Sequence, residues 1–212
     1  MDRSQVAVVI PAFNERETIS AVVRSVEKWG MPVVVDDASS DGTGDEAAAA
    51  GATVVRLQMN GGYDRALDAG FAEANRLGMS VIVTIDGDGQ HDPESIGSFL
   101  KELADGADLV VGIRPYRARL AEGLFGLTTR VRYGLSDPLC GLKAYRIELY
   151  QSLGHFDRCD SVGTELMFYG IRNGFTFREL PIPLSARKGE SRFGQSFRGN
   201  LKIFRAILST WR

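Results

Sequence analysis

Five short runs rich in β-branched residues recur through the first 113 positions, at 6–10, 33–35, 53–57, 81–85 and 109–111. None alternates apolar with polar residues, so each reads as a strand buried on both faces. The stretches between them have helical spacing. Ile19, Val22, Val23 and Val26 mark a helix over about 17–29. Further helices are expected over 45–50, stopped by Gly51, over 63–77, stopped by Gly78, and after Pro93, where Ile96, Phe99, Leu100 and Leu103 are apolar. Buried strands alternating with helices on short connections specify an α/β fold: a doubly wound, mostly parallel central sheet with helices on both faces and right-handed crossovers.

Such a sheet collects ligands at the carboxyl ends of its strands. The fourth run ends in Asp86-Gly87-Asp88-Gly89-Gln90-His91-Asp92. Two carboxylates spaced i, i+2 repel unless a cation or a proton lies between them. Mg²⁺ suits the position because it takes hard oxygen ligands and bridges substrate phosphates. A polar turn would use the same residues, but other strand ends carry similar chemistry. Pro11-Ala12-Phe13-Asn14-Glu15 follows the first strand, and Asp36-Asp37-Ala38-Ser39-Ser40-Asp41-Gly42-Thr43 follows the second. No Gly-x-Gly-x-x-Gly follows the first strand, so a dinucleotide fold lacks its phosphate loop. Asp37 can accept hydrogen bonds from a base or ribose. Asn14, with Glu17 three residues on, would otherwise cap a helix, and 36–43 would be a Ser/Asp-rich turn. Arg65, entering a helix after Asn60-Gly61-Gly62, is placed either for a phosphate or for the surface. His91 reads as a hydrogen-bonding neighbour of the acid motif rather than a ligand.

The pattern loosens after Gly112. Residues 114–132 carry five arginines among apolar residues and read as a helix, 136–145 reads as a turn entering a strand, 163–173 as a helix, and 175–183 as an edge strand marked by its prolines. In the tail, Phe197, Leu201, Phe204, Leu208 and Trp211 recur at 4, 3, 4, 3, with Arg198, Lys202, Arg205 and Arg212 beside or opposite them. A basic amphipathic helix over 196–212 would lie on a lipid surface, or pack on the sheet or a second subunit. Charge is split in the same way. Residues 1–113 hold 8 Lys/Arg against 19 Asp/Glu, a net −11, and 114–212 hold 17 against 8, a net +9. The acidic half argues against nucleic acid, and the basic half fits a phosphate or an acidic membrane surface. At 212 residues and 44% hydrophobic content, one buried core is expected. Cys140 and Cys159 have no metal-ligand spacing, the first residues have no signal-peptide character, and no apolar run approaches a membrane span. A cytoplasmic chain is the expectation.

The strand-end motifs after the first, second and fourth strands, together with Asn60-Gly61-Gly62, Ala66-Leu67 and Gly70-Phe71, resemble family-2 inverting glycosyltransferases in order and spacing over residues 1–113. Ser136-Asp137-Pro138-Leu139-Cys140-Gly141-Leu142-Lys143 and Arg187-Lys188-Gly189-Glu190-Ser191-Arg192 resemble the branch acting on polyprenyl phosphates. The resemblance implies a GT-A nucleotide-sugar transferase fold that moves one sugar from a UDP- or GDP-sugar with inversion. It implies that Pro11, Ala12, Asn14, Glu15, Asp36, Asp37, Gly62, Arg65 and Asp86 meet the nucleotide sugar, and that Asp86, Asp88 and Gln90 hold Mg²⁺ or Mn²⁺. The Gln-x-x-Arg-Trp motif of processive synthases is absent, which fits a single transfer.

The acceptor divides the remaining readings. A sugar hydroxyl needs a general base, and Asp137 is the placed candidate in the second half. A phosphate monoester, with a second pKa of about 6, is already a dianion and needs arginines instead. Arg114, Arg130, Arg132, Arg187 and Arg192 supply them. The resemblance implies that Arg114, Arg187, Gly189, Ser191 and Arg192 contact acceptor phosphate. The candidate catalytic residues are Asp137, Asp88 and Arg192. The expected partners are therefore a nucleotide sugar and a polyprenyl (lipid) phosphate or glycan acceptor, with peripheral membrane contact and a homodimer or membrane subunit. Residues 1–113 would form the nucleotide-sugar half and 114–195 the acceptor half of one catalytic unit, 1–195. A non-catalytic nucleotide-sugar-binding subunit would predict a damaged acid motif, and here Asp86 and Asp88 are intact.

Overall fold

The structure is a computed structural model that describes residues 2–115, 120–158 and 161–185. Its elements run β1 (Val6–Ala12), α1 (Arg16–Val26), β2 (Met31–Asp36), α2 (Thr43–Ala49), β3 (Thr53–Arg56), α3 (Tyr63–Arg76), β4 (Val81–Thr84), α4 (Ser95–Ala104), β5 (Leu109–Ile113), α5 (Leu120–Tyr133), β6 (Lys143–Arg146), α6 (Ile147–Leu153), α7 (Glu165–Arg172) and β7 (Phe177–Pro181). One sheet holds all seven strands in the order β3-β2-β1-β4-β6-β5-β7. Six strands share one direction. β6 alone is reversed, lying antiparallel between β4 and β5. The expected α/β class is therefore present as a mostly parallel mixed sheet.

Alternation along the strands divides the core into two layers. Val6, Val8, Ile10, Val34, Val81, Val83 and Val110 face α1 and α4, whose Ile19, Val23, Ile96, Phe99 and Leu103 are buried with them. Ala7, Val9, Val33, Val35, Ile82, Leu109, Val111 and Tyr145 face the other way, onto Leu67 and Phe71 of α3, Phe125 of α5 and Leu166 and Met167 of α7. This two-sided burial is why the central runs lack polar alternation. β3 is the exception: its residues are half-buried or exposed because it closes the sheet edge. Gly70 brings α3 close to the sheet, since a Cβ there would come 2.3 Å from Val9 Cγ1.

Several boundaries differ from those the sequence suggests. Pro11 does not end the first strand; it pairs with Val35 inside β1. β4 has stopped pairing with β1 after Val9, so the N–H that proline lacks is not needed on that side. α1 ends at Val26, and Trp29 packs on the core below Gly97 rather than extending the helix. α6 follows β6 directly, where the sequence had suggested no helix. β7 pairs only with β5, an edge position as its prolines suggest. The amphipathic tail over 196–212 lies outside the described residues. Among the described residues no helix is long and apolar enough to cross a membrane.

Phe71 is the centre of the second layer, with ring centroids 5.2 Å from Tyr145, 5.5 Å from Tyr150 and 4.5 Å from Phe156. Phe71→Ala should cost about 3–5 kcal/mol, read as a lower denaturant midpoint at unchanged slope. A loss below about 1 kcal/mol would mean that the layer is not packed around this ring.

Candidate active site

The carboxyl ends of β1, β2, β4 and β5 lie on one edge of the sheet, because these strands are parallel. The reversed β6 starts at that same edge: Lys143 pairs with Thr84 on one side and with Val111 on the other. Residues just before β6 are thereby set among the strand ends. Thr84 Oγ1 donates to Gly141 O at 2.7 Å, and Gly112 N donates to Leu142 O at 3.0 Å.

Asp86 follows β4, with its carboxylate one-third exposed. Its Oδ2 lies 3.1 Å from Nε2 of the buried His91. Burial pushes the Asp86 carboxyl up, but the His91 hydrogen bond and the charges of His91, Arg114 and Lys143 outweigh it and hold the group below its ordinary value. Gly141 makes room for this carboxylate, since a Cβ there would lie 2.3 Å from Asp86 Oδ2. Asp88 is buried and its Oδ1 accepts from Gln90 N at 3.0 Å. Gly89 takes a left-handed φ of 72°, which turns the loop so that Asp86, Asp88 and Gln90 fall within one tight bend. Among the described residues no three His, Cys, Asp or Glu side chains cluster as a metal site. A cation held by Asp86, Asp88 and Gln90 would fill its shell with water and substrate oxygens, as Mg²⁺ does, and the pair of hard carboxylates fits one.

The other strand-end residues are tied to one another across the edge. Pro11 and Ala12 close β1, and Ala12 O accepts from Asp37 N at 2.9 Å. Asn14 has a left-handed φ of 53°, and its Oδ1 accepts from Ser40 N at 2.8 Å. It is not the helix cap, a position held by Glu15 without a side-chain capping bond. Glu15 N in turn donates to Thr43 Oγ1. Asp36 Oδ1 accepts from Ser39 N at 2.9 Å. The Asp37 carboxylate accepts from Gly61 N at 2.7 Å and Gly62 N at 2.8 Å, so it fastens the glycine loop that leads into α3. Arg65, on the first turn of α3, is exposed.

On the far side of β4 the buried Asp137 meets Arg114 at the end of β5. Arg114 Nε and Nη2 donate to the two carboxylate oxygens at 2.8 Å each, and the Arg114 backbone N adds a third bond at 3.1 Å. This is a two-pronged ion pair, the strong form of the interaction. Lys143 is also buried; its Nζ donates to Gly163 O at 3.2 Å, and burial pushes the ammonium's pKa down. Arg130 and Arg132 are exposed on the last turn of α5, with Arg132 5.4 Å over the Tyr133 ring. Arg187, Gly189, Ser191 and Arg192 lie outside the described residues. The segment leading to them is anchored, since His91 bridges Leu184 and Ser185 N donates to Gln90 O. Sequence reasoning missed the Gly141 cradle and the buried Lys143; a glycine and a lysine at the start of a strand carry no local signal of what they face.

A strand-end acid pair beside an arginine–carboxylate fork, on a mostly parallel sheet, is an arrangement for handling an anionic substrate. The profile described as "Glycosyl transferase family 2" matches residues 7–156. The chain belongs to this family and is a glycosyltransferase. It is 34% identical to polyprenol monophosphomannose synthase of Mycolicibacterium smegmatis, over 85% of this chain and 77% of that protein. It is 31% identical to undecaprenyl-phosphate mannosyltransferase of Micrococcus luteus, over 94% of this chain and 91% of that one. These relatives support the polyprenyl-phosphate branch. Among solved structures, glucosyl-3-phosphoglycerate synthase from Mycobacterium tuberculosis, in complex with Mg²⁺ and UDP, superposes with a TM-score of 0.79 at 22% identity, covering 97% of this chain and 78% of that one. That likeness bears on the GT-A fold.

If His91 is what holds the Asp86 carboxyl low, His91→Ala should raise it, because the hydrogen bond and charge of His91 are lost while the upward push of burial stays, opposed only by Arg114 and Lys143. Carboxyl ¹³C titration of the wild type should place Asp86 below its ordinary 3.8. The stabilisation from its ionised form is present above that value and is lost as pH falls through the folded value; the variant should lose it. An unchanged Asp86 titration would assign the low value to other charges.

Proposed function

We propose that the chain moves one sugar, with inversion, from a UDP- or GDP-sugar to the phosphate of a polyprenyl phosphate. The observation that carries this reading is the Arg114–Asp137 fork. Asp137 spends its oxygens on three N–H groups of one arginine, which suits holding that arginine and does not suit taking a proton from a sugar hydroxyl. A phosphate dianion needs no such base and does need a held guanidinium. The relatives named polyprenol monophosphomannose synthase and undecaprenyl-phosphate mannosyltransferase support the same acceptor class.

In this reading Pro11 to Glu15, Asp36, Asp37, Gly62 and Arg65 surround the nucleoside and its phosphates. Asp37 acts by fixing the glycine loop as well as by accepting from the ligand. Asp86, Asp88 and Gln90 would hold Mg²⁺ or Mn²⁺, which supplies charge neutralisation for a departing nucleoside diphosphate. His91 keeps one Asp86 oxygen turned toward itself, and the Gly141 face leaves that carboxylate its room. Arg114, joined by Arg187, Gly189, Ser191 and Arg192, would receive the acceptor phosphate and aim its oxygen at the anomeric carbon. Residues 1–195 would act as one catalytic unit, with 196–212 at the surface of the membrane that presents the lipid.

Donor and acceptor roles separate experimentally. Asp88→Ala should abolish divalent-dependent binding of UDP or GDP in calorimetric titration, and Gly141→Ala, by displacing Asp86, should weaken it about 10-fold or more. Arg114→Ala should raise the acceptor KM and leave nucleotide affinity unchanged. If Asp137→Asn instead lowers kcat by about 10²–10⁴ at unchanged acceptor KM, Asp137 is a general base and the acceptor is a hydroxyl.

A further inference from the structure

Glu179 on the edge strand β7 has no role in any of the motifs, yet it holds the loop that holds Arg114. Its Oε1 accepts from Ser136 N at 2.7 Å and from Asp137 N at 3.3 Å, and its Oε2 accepts from Ser136 Oγ at 3.0 Å. The sheet register puts it there. Glu179 pairs with Val111 in the parallel β5–β7 ladder, and Val111 faces the layer that contains α5. The side chain therefore rises on the α5 side, where residues 134–137 leave that helix. Ile182 N donates to Ile113 O at 3.0 Å, so β7 is locked to β5 up to the residue before Arg114. Three chain segments far apart in sequence meet in one relay: β7 through Glu179, the turn before β6 through Ser136 and Asp137, and the end of β5 through Arg114.

We propose that Glu179 is a positioning residue for the acceptor phosphate, acting through the Ser136–Asp137 turn to fix the direction in which Arg114 presents its guanidinium. With Nε and Nη2 held by Asp137, a rotation of the Asp137 carboxylate re-aims the whole guanidinium. Two backbone N–H bonds and a hydroxyl bond to one carboxylate leave the turn little freedom to rotate. An edge strand is an unusual place to bury such a device. Glu179 is half-buried, and Arg178 and Pro181 on the same strand are exposed, so solubility alone does not explain the acid's inward contacts. The proposal rests on the acceptor role assigned to Arg114 above.

The test uses the full chain, UDP-glucose and GDP-mannose tried in turn as donors, and a short-chain isoprenyl phosphate in detergent as acceptor. Glu179→Ala should raise acceptor KM about 10-fold, the usual weight of such hydrogen bonds, while the affinity for UDP or GDP with Mn²⁺ stays at the wild-type value. Glu179→Gln should restore KM to within about 3-fold, because its amide oxygen can still accept from Ser136 N and its NH₂ can donate to Ser136 Oγ. Ser136→Ala, which deletes only the Oε2 bond, should give a smaller rise in the same direction and keeps the test available if Glu179→Ala fails to fold. The Arg114→Ala/Glu179→Ala pair should be no worse than Arg114→Ala alone. If Arg114→Ala leaves acceptor KM unchanged, the phosphate-acceptor reading itself falls. If Arg114→Ala raises it while neither Glu179→Ala nor Ser136→Ala does, or if losses in the pair simply add, only the positioning role of Glu179 is overturned. Equal damage by Glu179→Gln and Glu179→Ala, or a parallel loss of nucleotide affinity, overturns it too.

Discussion

The site depends on one reversed strand. β6 runs antiparallel between β4 and β5, so its first residue stands at the edge where its neighbours end. A parallel strand in that slot would have delivered its last residue there instead, and Ser136 to Leu142 would lie at the opposite edge of the sheet. The reversal is what brings Gly141 against Asp86 and Asp137 against Arg114. It is fastened by backbone pairing on both sides and by the Thr84 hydroxyl on the Gly141 carbonyl. Buried on both faces and paired on both edges, β6 has little room to shift, and the groups it carries inherit that rigidity.

Two kinds of charged group result. At the acid motif, the Asp86 carboxylate keeps partial access and lies 3.1 Å from His91, with Arg114 and Lys143 adding positive charge from further off. At the Arg114 side, charges are matched within the protein, and the buried pair is stable only because Asp137 satisfies several donors at once. Lys143 stands between the two, a buried cation that helps keep Asp86 ionised. In the proposed function, donor and acceptor groups stand on neighbouring strand ends and take their hydrogen bonds from different partners.

Much of the first half was legible in the sequence, because burial on two faces writes itself as unbroken β-branched runs and amphipathic helices write a 3.6-residue period. The edge position of β7 was readable from its prolines. What the sequence did not carry was pairing direction and distant partners. Nothing in Lys143 to Arg146 says that the strand is reversed. Asn14 and Glu17 have the spacing of a capping box, but Asn14 bonds Ser40, 26 residues away. Asp37 looked like a free ligand-binding carboxylate and proves to be fastened to Gly61 and Gly62. Glu179, in a short edge strand, gave no sign of reaching a turn 42 and 43 residues earlier. Local patterns report burial and propensity; the contacts that shape this site are made across the sheet edge between segments the patterns treat separately.

In the proposed function the held arginine, Arg114, receives a phosphate. This is tested most directly by offering the protein a polyprenyl phosphate and the polyprenol of the same chain length, side by side, with labelled UDP- and GDP-hexoses and Mn²⁺. Label is expected in the lipid fraction with the phosphate and none above background with the alcohol. Equal transfer to the alcohol, or transfer to a soluble glycan with none to the lipid phosphate, would contradict it.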